Sequence, residues 1–122
     1  MTFDASAGQN LTSGGVDANH DFNDLTIATS GGFSTILLAP IDVNGTLTIA
    51  AGGAFNAGGF AINLSDDWIN NGSYTHGGNT VFFDLGAGTQ DLTSGGVGAG
   101  KPLGNLEHTG AGTLRLVTND LV

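Results

Sequence analysis

The sequence predicts an all-β protein and, within that class, a single-stranded parallel β-helix (β-solenoid) with short strands and Gly/Asn corners. Three observations predict it. Composition is the first: 22 of 122 residues are Gly, and only 11% are charged, far below the usual quarter. Thr, Asn, Ser and Gly fill the places that Lys, Glu and Arg occupy on ordinary surfaces, so no window carries the residues that long helices need. The second is alternation with period 2 in runs of only three to six residues, as in Leu47/Ile49 and Phe60/Ile62/Leu64, which places one set of side chains on one face of an extended strand. The third is repetition. Asn-containing corners with Gly at 45, 58 and 72 recur 13 and 14 residues apart, and Asn and Gly supply the left-handed angles a tight corner needs. Strand and corner at near-constant spacing is the pattern of a coiling chain. The alternative for this pattern is a jelly-roll or Greek-key sandwich, which spends longer strands and joins distant ones.

The expected strands are Gln9–Thr12, Asp24–Ala28, Thr35–Ala39, Ile41–Val43, Thr46–Ala50, Ala54–Phe55, Phe60–Leu64, Asp67–Ile69, Ser73–Thr75, Thr80–Asp84, Gln90–Thr93, Gly104–Glu107, Thr113–Val117 and Asp120–Val122. In a parallel coil the inward positions of successive turns stack. Leu25/Ile27, Leu47/Ile49 and Phe60/Ile62/Leu64 are the predicted core ladders.

A longer repeat overlies the short one. Phe3-Asp4-Ala5, followed by Leu11-Thr12-Ser13-Gly14-Gly15-Val16, recurs as Phe83-Asp84-Leu85, followed by Leu92-Thr93-Ser94-Gly95-Gly96-Val97. The match continues more loosely from Phe22–Leu25 to Leu103–Leu106 and from Thr35–Leu38 to Thr113–Leu116. Residues 1–122 therefore read as one β-solenoid domain of about one and a half copies of an ~80-residue unit: 3–82 is the first copy and 83–122 a partial second. The chain opens in mid-pattern, as expected of a piece of a longer array. Met1-Thr2-Phe3-Asp4 has neither the basic nor the apolar region of a signal peptide, so location is not written in it.

Phrases such as Asn44-Gly45-Thr46-Leu47-Thr48-Ile49, Asp67-Trp68-Ile69-Asn70-Asn71-Gly72 and Thr89-Gln90-Asp91-Leu92-Thr93-Ser94 resemble the tandem repeats of bacterial cell-surface and secreted proteins. The chain is similar to the parallel β-helix adhesins, namely autotransporter passengers and filamentous-haemagglutinin-like exoproteins. The resemblance implies an extracellular or cell-surface repeat used for reach, adhesion or matrix building. It carries over no functional residue.

Charge narrows the partners. Two basic residues, Lys101 and Arg115, stand against 11 acidic ones, for a net charge of −9, so the cationic footprint of a nucleic-acid binder is missing and anionic membranes repel the chain. No run approaches the roughly 20 apolar residues of a membrane span, which argues against membrane insertion. With no Cys, disulfides and thiolate metal sites are excluded.

Candidate chemistry is sparse. Asp17, Asn19, Asp21 and Asn23 place oxygen side chains at alternate positions, the spacing that opens a calcium loop. However, Gly at the sixth position and Glu at the twelfth are missing, so a solvated corner competes with a Ca²⁺ site. Trp68 and Tyr74 are candidates for stacking on a glycan, against a core role for Trp68. Gly95–Lys101 imitates a P-loop, but Pro102 stands where the magnesium-binding hydroxyl belongs. Asp66-Asp67 lacks the basic partners that a carbohydrate-cleaving carboxylate pair would need for anionic substrates. His20, His76 and His108 show no ligand spacing. The expectation is a non-enzyme: a structural or adhesive module without a cofactor, associating head to tail with itself through open solenoid ends. The alternative is a glycan-binding module, with or without calcium.

Overall fold

The computed structural model describes residues 1–117, so the expected strand Asp120–Val122 lies outside them. Among the described residues are fourteen strands and no helix: β1 (Thr2–Phe3), β2 (Gln9–Leu11), β3 (Leu25–Ile27), β4 (Thr35–Leu37), β5 (Ile41–Val43), β6 (Leu47–Ile49), β7 (Ala54–Asn56), β8 (Ile62–Leu64), β9 (Trp68–Asn70), β10 (Ser73–Thr75), β11 (Thr80–Phe83), β12 (Thr89–Thr93), β13 (Asn105–His108) and β14 (Thr113–Leu116). Every pairing is parallel. The chain is a β-solenoid of about five turns with three faces. Face A runs β1-β3-β6-β9-β12-β14, face B runs β2-β4-β7-β10, and face C runs β5-β8-β11-β13. The chain visits A, B and C in turn, and the sandwich alternative is excluded.

One turn takes 21 to 24 residues on face A between Leu25, Leu47, Trp68 and Leu92, and 19 to 26 on faces B and C, from Ala54/Ser73 to Gln9/Thr35. The corner glycines at 45, 58 and 72 therefore mark every second corner, and their spacing is two faces of the coil, not one turn. Such corners need Gly where rungs approach closely. A Cβ on Gly72 would collide with the Gly53 and Ala50 carbonyl oxygens of the turn below.

The interior consists of stacked columns. On face A, Leu25, Leu47, Trp68, Leu92 and Leu116 follow one another in register, and the first four are buried. On face C, Ile41, Ile62, Val81 and Leu106 form one column, and Val43, Leu64, Phe83 and His108 another. Leu25/Ile27 and Leu47/Ile49 are adjacent rungs of face A, as expected. The Phe60 ladder is corrected: Ile62 and Leu64 are buried, but Phe60 is 36% exposed beside the corner, because β8 begins two residues after it.

The ~80-residue repeat has a structural meaning that its sequence does not announce. The β1–β3 pairs Thr2/Thr26 and Phe3/Ile27 sit on face A. Their counterparts are the β11–β13 pairs Phe82/Glu107 and Phe83/His108, on face C. Likewise the β2–β4 pairs Asn10/Ile36 and Leu11/Leu37 on face B become the β12–β14 pairs Asp91/Arg115 and Leu92/Leu116 on face A. Leu37 thus corresponds to Leu116, one residue off the sequence match, because inward-facing positions set the ladder. Local details are kept as well. Gln9 accepts from the Ala5 N–H at 3.3 Å and Gln90 from the Leu85 N–H at 3.5 Å. Gly15 and Gly96 each donate to a Ser hydroxyl two residues earlier, at 3.4 Å, after glycines at positive φ, Gly14 and Gly95. Counting faces from β1 to β11 gives eleven, or three and two-thirds turns. The second copy therefore enters the coil one face back from the first, a rotation of about 120° for a coil of three faces.

Candidate functional site

The two ends of the coil are its most distinctive surfaces. At the N-terminal end, β1 pairs only with β3 and β2 only with β4, leaving one edge of each strand without a strand partner among the described residues. Face C has no strand in this turn; the segment between β2 and β3 crosses it, and Phe22 makes an isolated bridge to Val43. At the other end β13 and β14 are the last described strands of faces C and A. Among the described residues face B has no strand there, and the segment after β12 crosses it, with Tyr74 N–H donating to the Gly100 carbonyl at 2.7 Å. Lys101 is bound into this crossing by its Nζ, which donates to the Gly72 carbonyl at 2.5 Å.

The columns are open at the C-terminal end. Val81 and Leu92 are buried, while their column neighbours Leu106 and Leu116 are 37% and 43% exposed. Outside that end, Arg115 makes a bidentate pair with Asp91 at 2.8 Å for both contacts. The Arg115 guanidinium holds the Asp91 carboxyl below the usual carboxylate range.

The predicted glycan platform is corrected. Trp68 and Tyr74 are 0% and 2% exposed and meet edge to face inside the coil, their centroids 4.9 Å apart at 80°. Tyr74 OH donates to Asn79 Oδ1 at 3.0 Å. Burial of the phenol, with only that hydrogen bond in opposition, raises its pKa. Neither ring offers a face to a sugar. The hydrophobic payload of a lone Trp and a lone Tyr serves the interior, the competing reading for Trp68.

The two carboxylates of the predicted calcium set are engaged by different partners. The Asp17 carboxylate turns back on its own loop, accepting from Asn19 N–H at 3.0 Å and contacting His20 Nδ1 at 2.7 Å. Asp21 instead reaches the next turn, where Asn44 Nδ2 donates to it at 2.8 Å. Asn19 and Asn23 lie in the same crossing segment, where the Asn23 carbonyl accepts from Gly45 N–H at 2.6 Å. Among the described residues no three His, Asp or Glu side chains form a group able to hold a metal ion.

Face C does hold an acidic column that the sequence reading missed. The Phe22/Val43 bridge puts Asp21 beside Asp42, and each has one buried carboxylate oxygen without a hydrogen-bond partner. Burial, then the charges of Asp21 and Asp84, raise the Asp42 pKa. The two acids are one turn, 21 residues, apart; an offset search at that period would have paired them.

The remaining candidates fall into separate corners. Asp66 and Asp67 each turn to a neighbouring rung: Thr46 Oγ1 donates to Asp66 at 3.4 Å and Asp91 N–H to Asp67 at 2.7 Å. No pocket is found among the described residues, and they hold no helix long and apolar enough to cross a membrane. Fold and ends together define the class: a three-faced parallel β-solenoid with strand edges open at both described ends. Compared with known proteins, the chain matches no family model, no curated protein and no solved structure.

Proposed function

We propose that this chain is a non-enzymatic structural and adhesive module of an extracellular bacterial fibre or surface protein, and that copies associate head to tail through their solenoid ends. The observation that carries this reading is the described C-terminal end, where Leu106 and Leu116 continue two buried columns yet remain exposed on β13 and β14, whose outer edges have no strand partner among the described residues. Such an edge is a template for another strand. Covering each leucine contributes about 25 cal/mol per Å² of apolar surface removed from water. Parallel ladders on all three faces supply stiffness along the axis, and the Thr, Asn and Ser of the outward positions supply weak polar contacts.

The net charge of −9 opposes this association at low ionic strength, since the screening length is about 30 Å at 0.01 M salt and about 8 Å at 0.15 M. Sedimentation velocity across protein concentration and salt tests the reading. The expected result is a mass that grows with both. A strict monomer at high concentration and 0.15 M salt sinks it.

A further inference from the structure

We propose that the turn from Asp17 to His20 is the surface by which the N-terminal end grips a second copy of this chain, with the His20 ring donating to corner carbonyl oxygens of that copy. The inference rests on the head-to-tail reading and assigns residues to the joint.

The chain carries this turn twice. Ser13–Leu25 aligns with Ser94–Leu106 without a gap, which sets Asn19 against Gly100 and His20 against Lys101. The backbone agrees with the alignment. Gly14 and Gly95 have φ of 90° and 82°, and the Ser13 and Ser94 hydroxyls donate to the carbonyls of Gly15 and Gly96. His20 N–H donates to the Asp17 carbonyl at 2.8 Å, and Lys101 N–H to the Gly98 carbonyl at 3.2 Å. In both copies the side chain at this position folds back over the glycine six residues earlier. A Cβ on Gly14 would lie 3.2 Å from His20 Cδ2, and one on Gly95 would lie 3.0 Å from Lys101 Nζ.

In the second copy the turn lies against the preceding turn of the coil and shows what it binds. Lys101 Nζ donates to the Gly72 and Asn70 carbonyls at 2.5 and 3.4 Å. The Gly100 carbonyl accepts from Tyr74 N–H at 2.7 Å and from Asn70 Nδ2 at 2.9 Å. Gly95 sits so close that a Cβ there would collide with the Asn70 carbonyl oxygen. The first copy belongs to the first turn of the coil. Its Phe22 and Asn23 bind the following turn, through Asp42, Asn44 and Gly45. The opposite side faces solvent: Gly14 and Asn19 are exposed, and the His20 side chain is 39% exposed.

The ring is held ready for this contact. His20 Nδ1 lies 2.7 Å from Asp17 Oδ1, which leaves Nε2 as the nitrogen for a partner. A charged imidazole donates through both nitrogens, and hydrogen bonds from a charged donor are the stronger kind. Corners of this coil supply acceptor carbonyls repeatedly, as Gly53 does to Ser73 N–H and Gly88 to Thr113 N–H. The contact therefore requires a corner of the second copy and no particular rotation.

Sedimentation velocity at pH 7 and 0.15 M salt tests the assignment. His20→Lys supplies the donor found at Lys101, and His20→Met a neutral chain of similar length. Ala51→Lys adds a positive charge at an exposed corner in mid-coil. His20→Lys is expected to associate about tenfold more tightly than His20→Met, the effect of one charge-assisted hydrogen bond. Ala51→Lys should stay within about twofold of wild type, since exposed charges are screened at that salt. In the wild type, the ring resonances of His20 should shift as concentration drives association, while those of mid-coil His76 should not. Equal association of the two His20 variants overturns the assignment, as does equal tightening by Ala51→Lys. So do His20 resonances that stay fixed while the wild type associates. Wild type and His20→Lys both remaining monomeric overturns the head-to-tail reading itself.

Discussion

Leu47 and Leu116 occupy the same inward column of face A, the first in its middle and the last at its described end, so truncating each to Ala measures how that column terminates. Leu47 is 0% exposed between Leu25 and Trp68. Its removal takes away buried methyl groups and leaves a cavity that flanking rungs cannot close without breaking register. The expected cost is about 3–4 kcal/mol. A 122-residue chain unfolds with an entropy of roughly 0.26 kcal/mol/K, so the midpoint should fall by about 12–15 °C. Leu116 is 43% exposed and leaves no enclosed void, so its truncation should cost only about 1 kcal/mol, or roughly 4 °C. Both are read by thermal unfolding under circular dichroism at a protein concentration where the chain is monomeric. Equal losses would refute the reasoning, because the column could not then be open at Leu116. The Leu116→Ala variant should also associate more weakly than wild type, whereas Leu47→Ala should not alter association while it remains folded.

Two further outcomes follow from the interior and from face C. Gln90 is fully buried and donates to the Leu64 and Asp66 carbonyls at 2.7 and 2.5 Å, so Gln90→Ala should cost about 2–3 kcal/mol in urea unfolding. Its counterpart Gln9, at the open N-terminal edge, should cost about 1 kcal/mol or less. Asp42→Asn should stabilise the chain at pH 7 by about 0.2–1 kcal/mol through relief of like charge across the rung. Because the folded-state pKa of Asp42 is raised, the folded wild type takes up a proton before the unfolded chain does. Its penalty is therefore full above that value and fades as pH falls through it, so the advantage of the variant should shrink in the same window. A constant advantage down to pH 3 would contradict the assignment.

Much of the fold was legible because alternation and corner chemistry are local. Leu25/Ile27 and Leu47/Ile49 declare their inward faces in three residues each, and thirteen of the fourteen strands fall where alternation puts them. Two-residue β1 was missed, being too short for a period to show. Phe60 was misplaced because alternation continues through a corner that only the backbone reveals. The site was less legible for a different reason. Trp68 and Tyr74 are candidates for a platform while a lone Trp favours the core, and only the facing of their strands decides. Face identity is also invisible in sequence. The phrase at Leu11–Val16 and its twin at Leu92–Val97 encode inside and outside, but nothing in either says which of the three faces it will occupy.

That indifference bears on how such a chain can lengthen. Eighty residues over eleven faces is about seven residues per face, whereas a turn needs 19 to 26. A duplication that had to preserve whole turns would be confined to multiples of the larger figure. This chain carries a duplicated segment whose length is a whole number of faces and a fractional number of turns, and the columns of faces A and C run through it without a break. The unit of tolerated growth is therefore the single face. Gene segments of many lengths can be copied into such a coil, provided each insertion begins and ends at a corner.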